Sequence, residues 1–308
     1  MQSSTEVSRS ADGVDRFVYC WLPDGEIRAA AHIAHGMAEH GARYARVAEA
    51  LTAAGVAVYA NDHRGHGRTH PDEGRGYFAD EDGWGKCVAD LGDLVTRAKE
   101  KHPDVPFILI GHSMGSMLVQ DYLGSSSDQV DAVVMSGTSG KPPAIATLGR
   151  YIARLERWRL GPHGRSGIID AMSFQDFNKK FKPNRTGFDW LSRDEAEVDK
   201  YVADPDSGFI CSVQLWIDLL DNVPRFTSDD HQQGLRKDLP VYIFAGDKDP
   251  VGEMGKSVES LAADYRKAGL TQVTCTLYPD ARHETLNETN RDEVTADLVA
   301  WIEARITA

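Results

Sequence analysis

Phe107-Ile108-Leu109-Ile110-Gly111-His112-Ser113-Met114-Gly115 packs a strand, a sharp turn and the start of a helix into one short run. Residues 107–110 are all apolar, the pattern of a short strand buried on both faces. Helical spacing takes over from Met114 to Leu123. Between them, Gly111 and Gly115 flank Ser113 and remove side chains that would clash in a tight strand-to-helix turn. A serine hydroxyl is a weak nucleophile and must be presented to a base, free of its own backbone. G-x-S-x-G alone is a weak signal, because glycine and serine are common. Following an apolar strand and opening a helix, it points strongly to a nucleophilic serine.

Outward from that turn, strands and helices alternate. Residues 17–22 and 27–34, joined by Pro23-Asp24-Gly25, read as a β-hairpin. Residues 43–54 read as a helix stopped by Gly55, and 56–60 as a strand. Residues 84–101 are predicted helical, with Trp84, Val88, Leu91, Val95 and Ala98 on one face. Downstream, strands are predicted at 130–136, 241–245 and 273–278, with helices at 255–267 and 292–305. This alternation predicts an α/β fold with a mostly parallel central sheet and helices on both faces. Residues 140–235 break the rhythm: they contain no clear strand and many aromatics, and Ser192 with Glu195 predicts a capping box for a helix ending near Val202. Three segments follow: a core at 1–139, a mainly helical cap insertion at 140–235, and the rest of the core at 236–308. Residues 1–12, Ser-rich and polar, are expected to be mobile.

Composition narrows the function. The 308 residues carry a net charge of −13, which opposes nucleic-acid binding. No stretch approaches the roughly 20 apolar residues that span a bilayer, and the N-terminus lacks a signal-like apolar run. A cytoplasmic protein with no integral membrane segment is the expectation. Cys20, Cys87, Cys211 and Cys275 show neither metal nor redox spacing and read as small buried hydrophobes. His32, His35 and His40 lack the carboxylate cluster of a zinc site, and no metal is expected. Arg150, Arg154, Arg157, Arg159, His163 and Arg165 form a locally basic run. It reads chiefly as a solvated helix face, and leaves a transient lipid-surface contact open.

The partners of a nucleophilic serine lie further along the chain. Asp247 and Asp249, in Ala245-Gly246-Asp247-Lys248-Asp249-Pro250, follow a predicted strand, and spacing does not choose between them. His283 follows the last predicted strand, where a carboxylate can hold it as a proton shuttle. The order Ser, Asp, His along the chain is that of the α/β-hydrolase fold, and that fold supplies oxyanion donors from two backbone N–H groups. Here these would be Met37, after the strand ending near Ala34, and Met114.

Five segments together resemble the monoacylglycerol lipase and lysophospholipase branch of the α/β hydrolases. They are His35-Gly36-Met37-Ala38-Glu39-His40 with Arg43-Tyr44, Asp62-His63-Arg64-Gly65-His66-Gly67, the Ser113 turn, Gly246-Asp247-Lys248-Asp249, and Tyr278-Pro279-Asp280-Ala281-Arg282-His283-Glu284. The resemblance spans about residues 15–305. It departs at Ala38 and Ser116, where glycine is frequent, and it is weak in the cap. It implies catalytic Ser113, Asp249 (rather than Asp247) and His283, an oxyanion hole of Met37 and Met114, and no metal or organic cofactor. It implies an esterase or lipase acting on a lipid-like ester such as a monoacylglycerol or lysophospholipid. A short-chain esterase, a thioesterase or acyltransferase, a proline-releasing aminopeptidase using Glu156, Asp170 or Glu195, and a non-enzymatic ligand receptor remain alternatives. Neither the acyl preference nor the oligomeric state follows from the sequence.

Overall fold

A computed structural model describes residues 1–70, 74–142 and 145–306. Among these, eight strands form one sheet: β1 (Gln2–Arg9), β2 (Asp15–Leu22), β3 (Ala29–Ala34), β4 (Val56–Asn61), β5 (Phe107–His112), β6 (Ala132–Ser136), β7 (Val241–Gly246) and β8 (Val273–Tyr278). Their order is β1-β2-β4-β3-β5-β6-β7-β8. β1, β2 and β4 pair antiparallel, and every pairing from β4 through β8 is parallel. With helices on both faces, this is the α/β-hydrolase fold.

Alternation along β5 sorts its side chains into two layers. Ile108 and Ile110 join the layer of α1 (Ala45–Ala53) and α11 (Arg291–Ile306), with Leu51, Leu298 and Trp301. Phe107 and Leu109 join the layer of α2 (Gly83–Lys101), α3 (Met114–Ser126) and α10 (Lys256–Lys267), with Trp84, Leu118 and Leu261. β3 to β7 are buried at every position, so both side-chain sets are mostly apolar, and the buried His32 and Asn61 bond to each other at 2.9 Å. Burying each Leu or Ile contributes about 1.5–3 kcal/mol.

The register brings the functional loops together. Ala34 pairs with Gly111, His112 with Ser136, Ser136 with Phe244, and Gly246 with Tyr278. The chain therefore leaves β3, β5, β6, β7 and β8 at one edge, the carboxyl edge where open α/β sheets place their sites. Between β6 and β7 the described residues hold six helices and no strand: α4 (Ile145–Leu160), α5 (Gly167–Met172), α6 (Phe174–Lys179), α7 (Glu195–Ala203), α8 (Val213–Phe226) and α9 (Asp229–Gln233).

Three local expectations need correction. Residues 17–34 are not a hairpin. β2 pairs with β1 and β4, and β4 lies between β2 and β3. The turn signal at Pro23-Asp24-Gly25 is local, whereas β4, buried at every position, must be paired on both edges. Residues 2–9 are a strand rather than a mobile tail, closed onto β2 through Ser10–Val14 bonds with Gly13 at φ 89°. The Asp12-Gly13 pair is the hairpin signal there. The α7 cap is Asp194, which accepts the Ala196 and Glu197 N–H groups, while the Ser192 hydroxyl donates to Asn287 O.

Candidate active site

Ser113 sits between β5 and α3 at φ 51°, ψ −121°, a strained conformation for a residue with a side chain. Surrounding bonds enforce it. Its N–H donates to Ser136 O at 2.9 Å, and its carbonyl accepts the Ser116 N–H at 2.9 Å. The flanking glycines are sterically required. A Cβ at Gly115 would lie 2.1 Å from Ala34 O, and one at Gly111 2.6 Å from the Ser116 Cα. Ser116, standing where glycine is frequent, donates to Ser113 O and contacts Thr138 Oγ1 at 2.7 Å. Ser113 is partly exposed, and its Oγ has no hydrogen bond among the described residues.

Asp249 follows β7, and His283 follows β8. Asp249 has no exposed surface, and its two carboxylate oxygens lie 3.0 and 2.9 Å from His283 Nδ1. Oδ1 also accepts the Val251 N–H at 2.9 Å. A carboxylate acceptor places the imidazole proton on Nδ1 and leaves the Nε2 lone pair free. Burial opposes the imidazolium, but the Asp249 charge and hydrogen bond outweigh it and raise the His283 pKa above its ordinary value. Asp247 is elsewhere: it accepts the Asp280 N–H at 2.7 Å and pairs with Lys248 on the surface. The His283 ring lies 4.8 Å from that of His112, the residue before Ser113. A Cβ at Gly137 would fall 3.1 Å from His283 Cε1, so glycine there leaves the imidazole room.

The loop after β3 is built as a cradle. His35 Nδ1–H donates to Gly36 O at 2.7 Å, and His35 Nε2 accepts the His63 N–H at 2.9 Å. That pattern requires a neutral ring. Burial, with His63 and His66 nearby, pushes the His35 pKa far down. Glu39 accepts the Gly36 N–H and the Tyr44 hydroxyl, the latter at 2.9 Å. Arg43 pairs with Glu39 and, through both terminal nitrogens at 2.7 Å, with Glu284 beside His283. Ala38 holds φ 55°, and its carbonyl accepts Gly208 N–H and Tyr201 O–H at 2.9 Å, both from the insertion. The Met37 and Met114 N–H groups carry no hydrogen bond among the described residues. Free N–H groups flanking a serine suit a developing oxyanion.

The structure thus brings Asp249 and His283 into contact, sets the Ser113 turn beside them, and leaves two backbone donors open. Sequence reasoning missed Trp190, whose ring lies 4.9 Å from that of His283. It also assigned no role to Arg43 and Glu284, although both stand in the quoted segments. The aminopeptidase carboxylates are occupied or exposed. Glu156 is bonded to Arg159 and Ser166, Asp170 accepts from Gln175 at 2.6 Å, and the Glu195 side chain is 78% exposed.

Residues 25–290 match the family model described as serine aminopeptidase, S33. The chain is 31% identical to the monoacylglycerol lipase of Mycolicibacterium smegmatis over 98% of this chain and 99% of that one. It is 27% identical to the monoglyceride lipase of Mus musculus, over 97% and 90%. A thermostable carboxyl esterase from Bacillus coagulans, solved with glycerol, superposes with TM-score 0.91 at 25% identity, covering 99% of both chains. A match over most of its length, and a relative of this identity along nearly all of it, place the chain in the serine aminopeptidase S33 family, on its monoacylglycerol lipase-like branch of the α/β hydrolases.

Proposed function

We propose that this carboxylic ester hydrolase cleaves lipid-like esters, monoacylglycerols or lysophospholipids, through an acyl-enzyme on Ser113. The observation that carries the reading is the buried Asp249–His283 pair beside the strained Ser113 turn. Ser113 Oγ attacks the ester carbonyl while His283 Nε2 takes its proton. The tetrahedral oxyanion forms hydrogen bonds to the Met37 and Met114 N–H groups, each contributing about 3 kcal/mol in the transition state. His283 returns the proton to the leaving alcohol. It then deprotonates a water that attacks the acyl carbonyl, and passes that proton to Ser113 Oγ as the acyl–oxygen bond breaks and the acid leaves. Asp249 keeps the proton on Nδ1 and stabilises the imidazolium.

Residues 140–235 act in this reading as a cap that binds the acyl chain. They line an apolar pocket of about 240 Å³, walled by Ile152, Ile169, Phe177, Trp216 and Leu220 among others. The Phe177 ring lies 5.3 Å from that of Trp190, which leads to His283. On the outside of the cap, Leu148, Tyr151, Leu155 and Trp158 form an exposed ridge along α4, Trp158 at 84% exposure. Arg150, Arg154, Arg157 and Arg159 share that helix; Arg150 and Arg154 both pair with Asp221 and Arg159 with Glu156, so four cations meet two acids there. An apolar ridge flanked by arginines fits an anionic lipid surface, from which such substrates are drawn.

Hydrolysis of p-nitrophenyl esters from acetyl to palmitoyl, with Ser113→Ala as control, tests the reading. Ser113-dependent turnover with a medium- or long-chain optimum is expected. Turnover confined to acetyl and butyryl esters would replace it with a small-ester hydrolase, and turnover surviving Ser113→Ala would end it.

A further inference from the structure

Residues 188–194, between α6 and α7, run beside the histidine loop and are hydrogen-bonded to it. Leu191 O accepts the Glu284 N–H at 2.8 Å, and Trp190 O accepts the His283 N–H at 3.4 Å. The Arg282 guanidinium donates to the carbonyls of Asp189 and Ser192. At the centre lies Glu288, which has no exposed surface. Its Oε1 accepts the backbone N–H groups of Arg282 at 2.9 Å and Arg193 at 3.0 Å. Its Oε2 accepts Arg193 Nε–H and the Thr289 N–H, both at 2.9 Å.

A fully buried carboxylate is costly unless donors fill its lone pairs. Here the donors come from both elements, and one of them belongs to the residue next to His283. The same segment carries Trp190, whose ring lies 4.9 Å from the imidazole at a 32° tilt, while Asp249 holds Nδ1 at 2.9 Å. We propose that Glu288 is a positioning residue for His283: it pins the 188–194 segment to the histidine loop, so that Trp190 contacts the imidazole that Asp249 holds. This rests on the reading of His283 as the catalytic base. The consequence is that the cap, at this edge, is part of the mount of the base rather than a separable cover. Lifting the segment would strip Glu288 of Arg193 and release the ring.

Glu288→Gln tests it. The amide keeps the shape but sets an NH2 against the donors that Oε2 now accepts. The charged and titratable groups facing His283 are Asp249 after β7, Glu284 on its own loop, Glu39 after β3 and His112 at the end of β5, and the substitution leaves all four in place. The expected result is a fall in kcat of about tenfold or more on a short soluble ester, with KM changed by less than about twofold. The His283 imidazole pKa, followed by NMR and assigned by the signal missing from His283→Asn, is expected to fall as the ring slackens from Asp249. Arg193→Met, at a partly exposed side chain that removes a single donor, is expected to move both readouts less and in the same direction. Unchanged kcat and titration in folded Glu288→Gln would overturn the proposal. If that variant does not fold, unchanged values in Arg193→Met would do so. The titration is independent of turnover. A wild-type protein without Ser113-dependent activity would therefore sink the catalytic reading, while the His283 titration still decides the positioning role.

Discussion

Asp249→Asn separates holding the imidazole from filling the space. Asp249 Oδ1 accepts the Val251 N–H at 2.9 Å, and this bond fixes the amide orientation in the variant. The carbonyl oxygen stays on Val251, and the NH2 replaces the oxygen that lies 2.9 Å from His283 Nδ1. A donor would then face the Nδ1 proton, and the one remaining acceptor, Oδ1 at 3.0 Å, is already engaged by the Val251 N–H. The imidazole escapes by moving its proton to Nε2, where it blocks acceptance of the Ser113 proton. The charge that stabilises the imidazolium is lost as well. A base in the wrong tautomer costs about 10⁴-fold in kcat, or about 5 kcal/mol of transition-state stabilisation. Initial rates on p-nitrophenyl butyrate, with thermal melts as a fold control, read the effect. Asp247→Asn, on the surface, is the companion and should stay within about threefold of wild type. A loss below about tenfold in a folded Asp249→Asn protein would refute the reasoning.

Three further outcomes follow from other parts of the molecule. A Cβ at Gly149 would meet only Leu220 Cδ1, at 3.8 Å, in the wall of the pocket that Ile152, Trp216 and Leu220 line. Gly149→Leu is therefore expected to suppress turnover of chains of about twelve carbons or more while sparing acetyl and butyryl esters. Equal losses at all lengths would remove the pocket from the acyl path. Replacing Tyr151, Leu155 and Trp158 together by Ser should weaken sedimentation with phosphatidylglycerol vesicles by about tenfold or more, with soluble-ester rates unchanged. Undiminished sedimentation would dismiss the α4 ridge. Burial pushes the Asp218 carboxyl up to about 6, and one of its oxygens is buried without a donor among the described residues. A raised carboxyl pKa means the folded state holds the proton more tightly. This stability is present at low pH and is lost as pH rises to about 6. Asp218→Asn should accordingly raise Tm at about pH 8 and lose that gain near pH 4. An equal loss of Tm at both pH values would show the carboxylate to be structural.

The parts legible in the sequence are those dictated by local sterics or uninterrupted burial. Gly111 and Gly115 announce the Ser113 turn because backbone crowding there admits no Cβ. Residues 107–110 of β5 and 241–245 of β7 read as strands because they are apolar throughout, with both faces covered. The strand order was not legible. Nothing local to Pro23-Asp24-Gly25 tells that β4 enters between β2 and β3. Nor were Trp190 and Glu288, which gain their places only when the 188–194 segment docks on the histidine loop. An isolated Trp carries no periodicity or spacing that points to a histidine so distant in sequence, and Glu288, although close to His283 in the chain, finds its Arg193 partner only across the fold. Arg43 and Glu284 form an intermediate case: both stand in recognisable segments, but their pairing is a property of the folded site.

The central claim is tested most directly by trapping the acyl-enzyme. Intact-mass spectrometry after rapid acid quench of a slowly deacylated p-nitrophenyl ester should show one added acyl group. Peptide mapping should place it on Ser113, and the adduct should be absent from Ser113→Ala and strongly reduced in His283→Asn. Turnover with no adduct on Ser113, or an adduct that persists in Ser113→Ala, would contradict the account.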